Sequence, residues 1–141
     1  MMVDLTKRYH FSASHRLHSE SLTGDENLRA YGKCNNPHGH GHNYALHVTV
    51  SGPVDPETGM ALDLAALDRV VEEEVMEPFD HTFLNLDLDA FRHTVPTTEN
   101  VCVEIFRRLN ARLLKEPSSG RARLKRILLE ETSSNYFEYE G

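Results

Sequence analysis

The chain has 141 residues, 39% of them hydrophobic and 26% charged, the range of one soluble globular domain spanning 1–141. Its net charge of −7 leaves no basic stripe to neutralise phosphates, which argues against a nucleic-acid or anionic-membrane partner. No apolar run reaches the roughly 18 residues of a membrane span, and the first residues lack the apolar centre of a signal peptide. The expected setting is the cytoplasm, with Cys34 and Cys102 both free thiols because they are not at metal-type CxxC spacing.

In chain order, Tyr9, Phe11, Ala13 and His15 alternate with His10, Ser12 and Ser14, which predicts a strand over Leu5 to His15. Residues Ser19 to Pro37 are polar, carry Gly24, Gly32 and Asn35-Asn36-Pro37, and read as a long loop. From His40, residues His42, Tyr44, Leu46, Val48 and Val50 alternate again and predict a second strand, ended by Gly52-Pro53 and Asp55-Pro56-Glu57-Thr58-Gly59.

The period then changes to that of a helix. Asp63 is an N-cap, Leu64, Leu67, Val71 and Val75 form one stripe, and Pro78 is the expected end. A second helix starts near Thr97-Thr98, buries Val101, Ile105, Leu109 and Leu113, and stops before Pro117. Leu124 to Glu131 and Tyr136 to Glu140 make two closing strands around a Ser133-Ser134 turn. The order ββααββ predicts an α+β domain: a four-stranded antiparallel sheet with two helices on one face. Were the other sheet face also apolar, subunits would have to cover it by assembling.

The densest chemistry lies in Cys34-Asn35-Asn36-Pro37-His38-Gly39-His40-Gly41-His42-Asn43. Residues two apart on a strand point the same way, so His40 and His42 present both imidazoles to one point. His15, at the end of the preceding strand, supplies a third nitrogen if the strands are neighbours, giving a three-His zinc site with an open position. An isolated His-x-His is more often surface decoration, and only this context raises it. His38 shares the parity of the pair and stays a candidate ligand.

Asp80-His81 can act as a proton shuttle, the carboxylate fixing the imidazole tautomer. Cys102, between Val101 and Val103, fits a buried hydrophobe, whereas Cys34 sits in a polar loop where no core needs it. At the end of the apolar run Arg126-Ile127-Leu128-Leu129, the pair Glu130-Glu131 could offer a carboxylate to a ring amidine, or be solvated charge. Thr97-Thr98-Glu99-Asn100 reads first as a helix start.

Phe11-Ser12-Ala13-Ser14-His15-Arg16-Leu17, Gly32 to Tyr44, Asp80-His81, Pro96 to Asn100 and Glu131-Thr132 together resemble, in order and spacing, the 6-pyruvoyltetrahydropterin synthase family. The resemblance implies a T-fold whose subunits assemble into a barrel, as a homohexamer of two trimers with active sites between subunits. It implies Zn2+ held by His15, His40 and His42, Cys34 as general base, Asp80 and His81 as proton relay, Glu131 as pterin anchor, and Thr97 and Thr98 lining that pocket. The implied activity is a lyase that converts the small molecule 7,8-dihydroneopterin triphosphate to 6-pyruvoyltetrahydropterin with release of triphosphate. The cations nearest the motifs for that triphosphate are Arg16, Lys33 and Lys125.

Three alternatives remain. His38 stands at the shorter Cys-to-His spacing of 6-carboxytetrahydropterin synthases of deazapurine biosynthesis, which use the same substrate. A zinc hydrolase or hydratase needs only the three His and has no use for Cys34. A non-catalytic metal or pterin-binding module would bind without turnover.

Overall fold

The computed structural model describes residues 1–141. Strand β1 (Met2–His15) pairs antiparallel with β2 (His40–Pro53) along its whole length, from Met2 opposite Pro53 to His15 opposite His40. After β2 come helix α2 (Leu64–Val71), a π-helical turn over Glu72–Met76, and the short α3 (Glu77–Phe79). Strand β3 (Thr82–Phe83), α4 (Leu84–Asp87), α5 (Thr98–Leu114), β4 (Arg123–Thr132) and β5 (Asn135–Tyr139) complete the chain. The sheet order is β3-β1-β2-β4-β5.

The α+β expectation stands, but the sheet has five strands and is mixed, because β3 runs parallel to β1 at Ala13 and Ser14. Two residues are too short to show a period. They are steered beside β1 by the Asp80 carboxylate, which accepts from Ser12 N–H at 2.8 Å, and by His81 N–H, which donates to the Ser12 carbonyl. The Ser19–Pro37 loop is also corrected. It contains α1 (Gly24–Tyr31), closed at its N-terminus by a Thr23/Glu26 capping box, and a 3-10 turn over Gly32–Asn35.

Pro78 does not stop the first long helix, which continues to Phe79. A proline removes an N–H and crowds the carbonyl four residues earlier, and the widened π turn immediately before α3 accommodates both.

One face of the sheet is apolar. Phe11 and Ala13 of β1, Tyr44, Leu46, Val48 and Val50 of β2, and Ile127 and Leu129 of β4 pack with Val70, Val71, Ile105 and Leu109 of α2 and α5 in one cluster of 25 buried residues, so sheet and helices share a single core. Phe11 stacks on Tyr44 at 4.9 Å and meets Phe79 edge-on at 5.8 Å. The opposite face is polar: Thr6 bonds Thr49, Ser12 bonds Asn43, and Glu130 meets both His47 and Arg8. No apolar second face therefore demands a cover.

Candidate metal centre

The core-facing stripe continues past the core into chemistry. His15 follows Phe11 and Ala13 on β1, and His40 and His42 precede Tyr44 and Leu46 on β2. Because His15 is directly opposite His40, the three rings converge, with centroids 4.6, 4.8 and 5.1 Å apart. One ring nitrogen from each lies within 4.8 Å of the others.

Two features of these rings fit a transition metal. His15 Nδ1 lies 2.8 Å from the carbonyl of Pro96, which fixes the proton there and leaves Nε2 as the lone-pair donor. His42 Nε2 is buried with no hydrogen-bond partner, although Glu131 Oε1 is only 3.4 Å away. His15 Nε2 and His40 Nε2 are 3.1 Å apart, close to the roughly 3.3 Å edge expected between nitrogens around tetrahedral zinc. Burial holds the pKa values of His15 and His42 below the ordinary 6.5, opposed at His42 by the Glu131 carboxylate, so both rings stay neutral as ligands must. No metal is needed to explain His38, which is exposed on the turn before β2 and outside the cluster.

Gly39 is required for this approach. It has φ +72°, and a Cβ there would fall 2.8 Å from the His15 carbonyl and 3.0 Å from the Phe83 ring. At Gly41 a Cβ would make only ordinary contacts, so its lack of a side chain is permissive.

Glu131 extends from β4 beside Tyr44 on the same face, and the Thr98 hydroxyl donates a hydrogen bond to its carboxylate. Thr97 is the N-cap of α5, its hydroxyl accepting from Asn100 N–H at 3.2 Å. Asp80 and His81 are paired at 3.0 Å, the Asp80 carboxyl held below the usual carboxylate range first by the Ser12 amide. His81 has φ +59°, a left-handed backbone for a non-glycine residue, and its ring is largely exposed. An open groove of about 410 Å³ between residues 41–43 and 81–83 carries both His42 and His81 on its walls.

Cys34 is half-buried in the 3-10 turn, and no hydrogen bond or ion pair joins it to Asp80, His81 or the imidazoles within this chain. Cys102 is the buried thiol of α5, pushed up to about 12 by burial. Of the three candidate cations, Lys125 is committed to Asp4 at 2.6 Å, at the far end of β1 from His15. Arg16 and Lys33 line one shallow groove beside Asn35 and Pro37. Sequence reasoning missed the Pro96 carbonyl, a backbone group without a residue-type signal. It also missed Asn85, whose amide pairs with both backbone groups of Arg16 at 2.8 Å.

The sheet and its converging imidazoles define a small α+β domain with three histidines that could hold a metal ion. Residues 4–141 match the family model described as 6-pyruvoyl tetrahydropterin synthase, and the chain belongs to that family. It is 46% identical over 137 residues to the human 6-pyruvoyl tetrahydrobiopterin synthase, covering 97% of this chain and 90% of that one. The solved structure of Caenorhabditis elegans 6-pyruvoyl tetrahydropterin synthase superposes with a TM-score of 0.92 at 42% identity, covering 100% of this chain and 96% of the other. The 6-carboxy-5,6,7,8-tetrahydropterin synthase of Bacillus subtilis is 29% identical over 140 residues, 96% of this chain and 84% of its own. No helix is long and apolar enough to cross a membrane.

Proposed function

We propose that the chain, as one domain over 1–141, is a zinc-dependent lyase that converts 7,8-dihydroneopterin triphosphate to 6-pyruvoyltetrahydropterin and triphosphate. The observation that carries the reading is the trio of converging imidazoles beside a carboxylate bonded by Thr98. That combination can hold a divalent ion and a ring amidine next to one another.

His15, His40 and His42 hold the zinc, and the Pro96 carbonyl orients His15. When bound, the ion contributes positive charge that acidifies the hydroxyls of the substrate side chain and favours the enolised forms on the way to the dicarbonyl. Glu131 accepts from the pterin ring, Thr98 fixes its carboxylate, and Thr97 fixes the helix start that presents Thr98. Cys34 takes a carbon-bound proton, and His81, oriented by Asp80, moves protons to the ring. The net change is elimination of triphosphate with hydrogen moved from side chain to ring, so no nicotinamide or flavin is consumed.

Cys34 has no link to Asp80-His81 inside one chain, and this supports sites completed by a neighbouring subunit in a homohexamer of two trimers. Sheet order supports closure of a barrel between subunits. Beyond the contact with β3, the outer edge of β1 has no partner strand, and β5 is the other open edge. The cytoplasm is the proposed compartment, consistent with two free thiols.

The pyruvoyl branch is favoured by 46% identity to the human enzyme against 29% to the bacterial carboxy enzyme. Incubating the zinc-loaded protein with 7,8-dihydroneopterin triphosphate should give triphosphate and a pyruvoyl pterin by mass spectrometry. A carboxylated pterin with acetaldehyde would reject the branch, and an intact substrate would reject the lyase.

A further inference from the structure

The turn that carries Cys34 is tied to one short segment, the three residues after the metal ligand His15. Leu17 N–H donates to the Cys34 carbonyl at 2.9 Å, and Arg16 Nε donates to the Asn35 carbonyl at 3.0 Å. The Asn35 side-chain amide then donates twice, to the Leu17 carbonyl at 2.8 Å and to His18 Nδ1 at 2.9 Å. Since the amide nitrogen can only donate, His18 Nδ1 is the acceptor in this bond.

We propose that Asn35 is a positioning residue, its amide tying the Cys34 turn to the Leu17–His18 segment and so setting where the thiol stands relative to His15 and the metal. The proposal rests on the reading of Cys34 as the base. The amide suits the task because its two N–H groups fork toward a carbonyl and an imidazole lone pair at once. An Asp would turn oxygen lone pairs toward the Leu17 carbonyl, and an Ala would leave both acceptors empty. Besides the Leu17 and Arg16 bonds to its carbonyls, the turn is a single 3-10 turn whose Cys34 side chain makes no hydrogen bond of its own, so the Asn35 amide supplies the side-chain part of the tie. Asn35 makes no hydrogen bond to His15, His40, His42 or Glu131, so its link to the metal site runs through the segment it ties.

The test uses zinc-loaded protein carrying Asn35→Ala, Asn35→Asp or His18→Phe, the last removing only one of the two amide bonds. Displacement of a reacting group by about 1 Å costs on the order of 100-fold, so kcat should fall about that far in both Asn35 variants and less in His18→Phe. KM and zinc per chain should stay at parental values. The rate of alkylation by iodoacetamide should rise, and it reports Cys34 alone because the Cys102 thiol is buried and pushed up to about 12. Folded, zinc-loaded variants with kcat within about twofold of the parent would overturn the proposal. If Asn35→Ala does not fold, parental kcat and alkylation in His18→Phe overturn it equally. Cys34→Ala separates the two failures: retained turnover there removes the base itself, whereas an inactive Cys34→Ala beside active Asn35 variants removes only the tie.

Discussion

Two adjacent threonines at the start of α5 divide their work by direction. Thr97 has non-helical backbone (φ −60°, ψ 156°) and spends its hydroxyl on Asn100 N–H, whereas Thr98 is buried and bonds Glu131. Thr97→Ala should therefore lower stability by about 1 kcal/mol, the usual worth of such a cap, read as a shifted urea midpoint with an unchanged m-value. Thr98→Val, nearly isosteric, should instead raise KM, because Glu131 loses the donor that orients it, while Thr97→Ala changes KM far less. Equal KM effects would place both hydroxyls in the pocket. At this scale the convergence of His15, His40 and His42 was legible, since His-x-His on a strand and a His ending the preceding strand meet by geometry alone. The direction of each threonine was not, because a Thr-Thr-x-x pattern does not say which residue is the cap.

At the scale of elements, the features hidden from sequence are those made of one or two residues. Strand β3 ends at Phe83, and the chain turns at once into α4, yet pairing with β1 continues through the Asn85 side chain. Its amide accepts from Arg16 N–H and donates to the Arg16 carbonyl, each at 2.8 Å, one side chain closing both backbone groups at the end of the β1 edge. Asn85→Ala leaves those two backbone groups without a partner and should cost about 1–3 kcal/mol in a denaturant titration. Hydrogen exchange at the Arg16 amide should accelerate with it; an unchanged rate would assign the pairing no structural weight. The long elements were legible because each carries a sustained period and one boundary signal: Leu64 to Val75 behind the cap Asp63, and Val101 to Leu113 before Pro117. Helix α1 did carry a signal, the Thr23-x-x-Glu26 box, but its single buried residue is Asn27, so no apolar stripe drew attention to it.

For the whole molecule, the question is what pairs with the two open edges of a five-stranded sheet, and the proposed answer is closure against copies of the same chain. Along β1, residues alternate in which edge their backbone groups face. Ser12 faces outward, since its amide and carbonyl bond Asp80 and His81 rather than β2. The register with β2 is regular down to Met2, so Arg8 shares that outward direction. Proline at position 8 would remove a donor from the open edge and spare the β1–β2 ladder, as proline is tolerated on edge strands. Arg8→Ala serves as control, because it loses only the exposed 3.5 Å contact with Glu130, a pair worth little in water. In sedimentation velocity the parent and Arg8→Ala should run as hexamers, and Arg8→Pro as a smaller species with unchanged far-UV circular dichroism. Turnover should be lost with assembly while the zinc affinity of the single chain persists, since all three imidazoles come from one copy. A parent that sediments as a monomer, or an Arg8→Pro that sediments like the parent, would refute closure through this edge.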